Sequence, residues 1–173
     1  VQDWAGPIGL INVVDTPEKF ERIVILNTWL HHDTTPTILG VAERISQMVR
    51  MPLENAEPFQ IVHYDVGQKY DYHFDSFDTS DAEYFDGYVK TGGQRLLTVL
   101  GYLRDVPRGG ETGFNRLGLS VQPKRGSIIV WYNCKPETNE RDEWSQHAGL
   151  PVLEGEKYAF NLWFREEKFS NDN

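Results

Sequence analysis

From Thr37 to Arg50 the apolar residues Ile38, Val41, Ile45, Met48 and Val49 fall at helical spacing, and Pro52 closes the run. The pattern predicts a helix there and a second one from Pro17 to about Leu30. From Phe59 onward the pattern changes. Short runs rich in Val, Ile, Tyr and Phe predict strands at Phe59–Val66, Tyr70–Ser76, Arg95–Leu103, Glu111–Phe114, Leu119–Gln122, Ser127–Tyr132, Ser145–Gly149 and Lys157–Arg165. Gly67, Gly92-Gly93, Pro107 with Gly109-Gly110, and Pro123 with Gly126 separate them as turns. Helices covering many short strands predict a mainly β fold with flanking helices, a sandwich or jelly roll. Two stretches, Phe77–Gly93 and Lys135–Trp144, have no strand or helix pattern and read as mobile loops.

The 173 residues suit one domain, 39% hydrophobic and 13% aromatic, so a packed core is expected. The net charge of −9 argues against a nucleic-acid surface and leaves room for a neutral or basic peptide partner. Cys134 is the single cysteine, which excludes an intrachain disulfide and a cysteine metal cluster. No apolar run reaches transmembrane length, and no signal-peptide pattern is present. The first residue is Val: a complete chain is expected in the cytoplasm, and one that has lost a targeting segment in the secretory pathway. Nothing here bears on oligomeric state.

The chemistry lies in the histidines. A redox-active iron(II) site needs three protein ligands and open positions, which two His and one carboxylate supply. On a strand, His-x-Asp turns both side chains to one face. There are three such pairs: His31/Asp33, His63/Asp65 and His73/Asp75. His31/Asp33 lies in a polar stretch before the first predicted helix and reads as a turn or cap. The other two are rivals that spacing does not separate. A third ligand must come from further along, and His147 is the only histidine after His73. On the last strand Lys157, Ala159, Asn161 and Trp163 share one face, and Tyr158, Phe160, Leu162 and Phe164 the other. If the second face meets the core, the first lines a cavity in which Lys157 needs an anion. An exposed face with a solvated lysine is the other reading.

Taken together, several ordered motifs resemble the prolyl 4-hydroxylases, particularly the short algal, plant and viral types. They are Tyr64-Asp65-Val66-Gly67-Gln68-Lys69-Tyr70-Asp71-Tyr72-His73-Phe74-Asp75, Gly93-Gln94-Arg95-Leu96-Leu97-Thr98-Val99-Leu100-Gly101-Tyr102-Leu103, Gly109-Gly110-Glu111-Thr112, Pro123-Lys124-Arg125-Gly126, His147-Ala148-Gly149-Leu150-Pro151-Val152, and Gly155-Glu156-Lys157-Tyr158, with Trp163 near the end. The match runs from about Pro52 to Phe164. It implies a single catalytic domain over 1–173 with a double-stranded β-helix, or jelly roll. It selects His73, Asp75 and His147 as iron ligands over His63. It gives Lys157 to the far carboxylate of 2-oxoglutarate, with Tyr64 and Thr112 bonding the same carboxylate, and Arg95, Tyr70 and Trp163 to the target proline. The implied reaction is C4 hydroxylation of a peptidyl proline with iron(II), 2-oxoglutarate and dioxygen, giving succinate and carbon dioxide, with ascorbate as reductant. A related dioxygenase acting on another residue or a small molecule is the alternative. So is a metal-binding jelly-roll module without turnover. The resemblance departs at Asp71-Tyr72, where the family has Glu-Pro, and in a shorter front end.

Overall fold

The computed structural model describes residues 26–79 and 90–170. Its elements are β1 (Leu26–Leu30), α1 (Pro36–Val49), β2 (Phe59–Tyr64), β3 (Tyr70–His73), β4 (Arg95–Tyr102), β5 (Arg108–Gly109), β6 (Thr112–Phe114), β7 (Leu119–Val121), β8 (Ile128–Tyr132), β9 (His147–Gly149), β10 (Val152–Glu154) and β11 (Lys157–Arg165). Five strands form a major sheet in the order β1-β2-β11-β4-β8. Four form a minor sheet, β3-β9-β6-β7, and β10 pairs with β5. All pairings are antiparallel. The fold is a jelly roll, with one α-helix outside it among the described residues.

Helix α1 begins where the chemistry allows. The Thr35 hydroxyl accepts the Ile38 backbone N–H, and Pro36 occupies the first turn, where its missing N–H is no loss. The helix ends at Arg50, whose φ of 57° puts it in the left-handed region, two residues before Pro52. His31 and Asp33 lie in the turn ahead of it: Thr34 donates its hydroxyl to the His31 carbonyl, and Thr35 supplies the cap.

Period-two alternation sorts the major sheet into two faces. Phe59, Leu97, Val99, Phe160, Leu162 and Phe164 pack with Ala42 and Ile45 of α1. Val62, Tyr64, Leu100, Tyr102 and Ala159 turn the other way, with Val106 and Val152. Leu162 is fully buried, so Leu162→Ala costs about 2–5 kcal/mol. Gly101 has no room for a side chain: a Cβ there would meet the Phe160 ring at 2.2 Å.

Two expectations are corrected. Leu26–Leu30, expected to end a helix, is the edge strand β1, paired in register with β2 from Leu26–His63 to Leu30–Phe59. Asn27 and Trp29 alternate toward the cavity there, which a helix would not allow. The rest of that predicted helix lies outside the described residues, as does 80–89 of the expected loop Phe77–Gly93. β3 also ends at His73, so Asp75 follows the strand rather than sitting on it. The short β5–β10 pair was not anticipated.

Candidate active site

The two sheets enclose a cavity of about 330 Å³. Its walls include all nine candidate residues: Tyr64, Tyr70, His73, Asp75, Arg95, Thr112, His147, Lys157 and Trp163. The minor sheet brings the metal candidates together, because His73 on β3 is the register partner of His147 on β9. Their rings lie 4.3 Å apart. Asp75 reaches both: Oδ1 is 3.7 Å from His73 Nε2, and Oδ2 is 3.6 Å from His147 Nε2. One ligand atom from each of the three falls within 4.8 Å of the others.

Hydrogen bonds fix which nitrogens face the cluster. His73 Nδ1 is 2.8 Å from the Asp71 carbonyl and His147 Nδ1 is 2.9 Å from the Ser145 carbonyl. A carbonyl only accepts, so each Nδ1 carries a proton, and each ring turns its Nε2 toward Asp75. Burial, with the charge of His147, lowers the His73 pKa to about 4 against the opposing pull of Asp75, so this ring is neutral at pH 7. Burial pushes the Asp75 carboxyl upward, but His147, His73, the Thr98 hydroxyl and Arg95 outweigh it and hold it below the usual carboxylate range. Two imidazoles aimed by backbone carbonyls and a carboxylate held by the Thr98 hydroxyl fit a divalent iron with open positions.

Lys157 sits deeper in the same cavity. It is 2% exposed, and its ammonium lies 5.2 Å from the Tyr64 ring and 5.7 Å from the Tyr102 ring. No described carboxylate pairs with it; Glu111 acts only at longer range, and burial brings its pKa down to about 8. The solvated-lysine reading therefore fails, and the β11 faces alternate as expected. Tyr64, opposite Lys157 in register, is buried. The Thr112 hydroxyl is buried too and lies 2.7 Å from the Tyr102 hydroxyl.

Arg95, Tyr70 and Trp163 all line the cavity, Tyr70 from the minor sheet and the other two from the major sheet. The Tyr70 ring lies 4.0 Å from His73, and the Arg95 guanidinium lies 3.8 Å over Trp163. Arg95, which the resemblance gives to the target proline, is engaged within the protein. Its Nε and Nη2 bond Glu57 at 2.6 and 2.7 Å, and Glu57 also accepts from Arg165. Sequence reasoning missed Glu57, which no motif marked, and the cavity residues Gln60, Asn27 and Trp29, whose positions follow from strand register.

His63, the rival, faces away from the cavity. It groups with Asp65 and Glu156 on the other side of β2, stacked on Tyr158 at 4.3 Å, away from the cavity.

A jelly roll whose paired strands converge two histidines and an aspartate beside a buried lysine that no described carboxylate pairs has the form of a non-haem iron oxygenase. The family match agrees: residues 59–165 match the 2OG-Fe(II) oxygenase superfamily, and the chain belongs to it. The chain is 37% identical over 161 residues to prolyl 4-hydroxylase 5 of Arabidopsis thaliana, covering 82% of this chain and 53% of that protein. It is 36% identical over 140 residues to prolyl 4-hydroxylase subunit alpha-2 of Gallus gallus, covering 81% of this chain and 25% of that protein. Among solved structures, the viral collagen prolyl hydroxylase of Paramecium Bursaria Chlorella virus-1, in its 2OG complex, superposes with a TM-score of 0.70 at 30% identity, covering 82% of this chain and 78% of that one. The chain thus spans about half or less of the curated relatives it matches. The family implies iron(II), 2-oxoglutarate and dioxygen. No helix among the described residues is long and apolar enough to cross a membrane.

Proposed function

We propose that this chain hydroxylates peptidyl proline at C4, consuming 2-oxoglutarate and dioxygen and releasing succinate and carbon dioxide. The observation that carries the reading is the juxtaposition of the His73–Asp75–His147 cluster and Lys157, which no described carboxylate pairs, in one cavity. The prolyl 4-hydroxylase relatives support the substrate class.

His73, Asp75 and His147 would hold the iron, which when bound couples oxidative decarboxylation of the keto acid to oxygen insertion; ascorbate would keep it reduced. Lys157 anchors the far carboxylate of 2-oxoglutarate, and burial makes that charge-assisted bond stronger than it would be in water. Tyr64 and Thr112 offer hydroxyls beside it. A high-pKa Tyr64, raised first by burial, keeps its proton and donates. Tyr70 and Trp163 give the proline ring an aromatic wall. Arg95, held by Glu57 and stacked over Trp163, would help to position the peptide.

The test is mass spectrometry of a proline-rich peptide after turnover with iron(II), 2-oxoglutarate and ascorbate. One added oxygen located at C4 of the ring is expected, with succinate in equal amount. Oxygen gained by another residue or a small molecule, with no proline product, would overturn the substrate assignment and leave the dioxygenase chemistry standing.

A further inference from the structure

Asp75 is held by a chain of groups that the metal cluster alone does not require. Thr98 on β4 lies 2.7 Å from Asp75 Oδ2 through its hydroxyl, and Asn133, just after β8, lies 2.8 Å from the same hydroxyl through Nδ2. Thr98 and Asn133 are both fully buried. An amide nitrogen only donates, so Thr98 must accept from Asn133 and give its single proton to the carboxylate. The reverse orientation of the amide would draw the Thr98 proton away and leave a hydroxyl lone pair facing an ionised Asp75. Backbone bonds fix Asn133 from both sides: its N–H reaches the Leu96 carbonyl at 2.8 Å, and its carbonyl accepts from Asp142 at 2.9 Å. Its side-chain oxygen is buried with no partner among the described residues, so burial at this position favours an amide only for the N–H it points at Thr98.

From this geometry we propose that Asn133 is a positioning residue for the metal: by orienting Thr98 it ties back Asp75 Oδ2 and leaves one carboxylate oxygen to ligate. The inference rests on the metal reading above. Three protein ligands would leave positions on the iron open for the cosubstrates, and a carboxylate that ligated through both oxygens would take one of those positions. A proton donor on Oδ2, itself oriented from behind, disfavours that.

The experiment uses manganese(II) as a redox-silent probe, its affinity read from the loss of the free-ion paramagnetic resonance signal, in wild type, Thr98→Val, Thr98→Ser, Asn133→Ala and the Thr98→Val/Asn133→Ala double variant. Outer-shell partners of metal ligands are typically worth about 10–100-fold in affinity. Thr98→Val should lose about that much and Asn133→Ala about tenfold, while Thr98→Ser, which keeps the hydroxyl, binds as wild type. The double variant should bind no more weakly than Thr98→Val, because Asn133 acts through Thr98. A general packing role would instead lower thermal stability without this non-additivity. Thr98→Val is nearly isosteric, so it reads out the relay even if Asn133→Ala fails to fold. Unchanged affinity in Asn133→Ala, or losses that add in the double variant, would overturn the proposal alone. Manganese binding that survives a further variant, His147→Ala, would overturn the metal reading and the proposal with it.

Discussion

Two His-x-Asp pairs leave successive strands of this fold, β2 and β3, and each finds a third ligand candidate at similar distance. His73 and Asp75 meet His147; His63 and Asp65 meet Glu156. The difference lies in their surroundings. The Asp75 side chain is 6% exposed, against 58% for Asp65 and 39% for Glu156. Both cavity histidines are aimed by backbone carbonyls, whereas His63 Nε2 is buried without a hydrogen-bond partner and the ring is spent on Tyr158. Glu156 is already engaged by Arg104, a cation that competes with any metal for it. Asp65 closes a turn, its N–H held by the Gln68 side chain. Proximity alone makes a cluster. A metal centre also needs oriented lone pairs, exclusion of water and no resident cation.

The largest effect should separate the two pairs outright. His147→Ala or His73→Ala should abolish iron binding and turnover, whereas His63→Ala should keep activity within about twofold and lose only its stacking on Tyr158, about 0.5–1.5 kcal/mol. Iron content and succinate release check this, and equal loss in His63→Ala would merge what the structure keeps apart. Lys157→Ala should raise the 2-oxoglutarate requirement about 10–100-fold, the worth of a charge-assisted bond of about 1.5–3 kcal/mol. Lys157→Arg should not restore it, because a longer planar head needs a different pocket. An unchanged requirement would return the lysine to an ordinary strand residue.

The pH dependence follows from the same lysine with a definite sign. Burial lowers its pKa to about 8 in the empty cavity, and a bound carboxylate favours the charged form. The KM for 2-oxoglutarate should be flat below about pH 8 and rise above it, by up to about tenfold per unit. Lys157→Ala should remove that rise; a rise that persisted would assign it to another group. The smallest effect concerns the substrate wall. Arg95→Ala should lower kcat/KM for peptide about fivefold, the scale of one hydrogen bond of about 1 kcal/mol, and leave 2-oxoglutarate binding and peptide-free succinate formation intact. Equal damage to 2-oxoglutarate binding would show that loss of the Glu57 pair deforms the whole cavity.

What could be read in the sequence depended on whether the signal was local. The two faces of β11 were legible because alternation over nine residues is strong, and α1 because five apolar positions share a helical stripe. β1 was misread because five residues carry little periodicity, and their strand state comes from pairing with β2, about 35 residues on. The choice between His63 and His73 was not legible from spacing: which face of a strand meets the cavity is a tertiary fact, and there only the family resemblance decided. Glu57 and Asn133 were invisible for the same reason. Their partners Arg95 and Thr98 lie 38 and 35 residues away in sequence.

The most direct test of the account is an anaerobic titration of the iron(II)-loaded chain with 2-oxoglutarate, followed by visible absorption. Chelation of iron(II) by a keto acid produces a charge-transfer band. The band should form in wild type and in His63→Ala, need far more 2-oxoglutarate in Lys157→Ala, and be absent in His147→Ala. A band that survives His147→Ala, or that disappears with His63→Ala, would contradict the placement of the metal in the cavity.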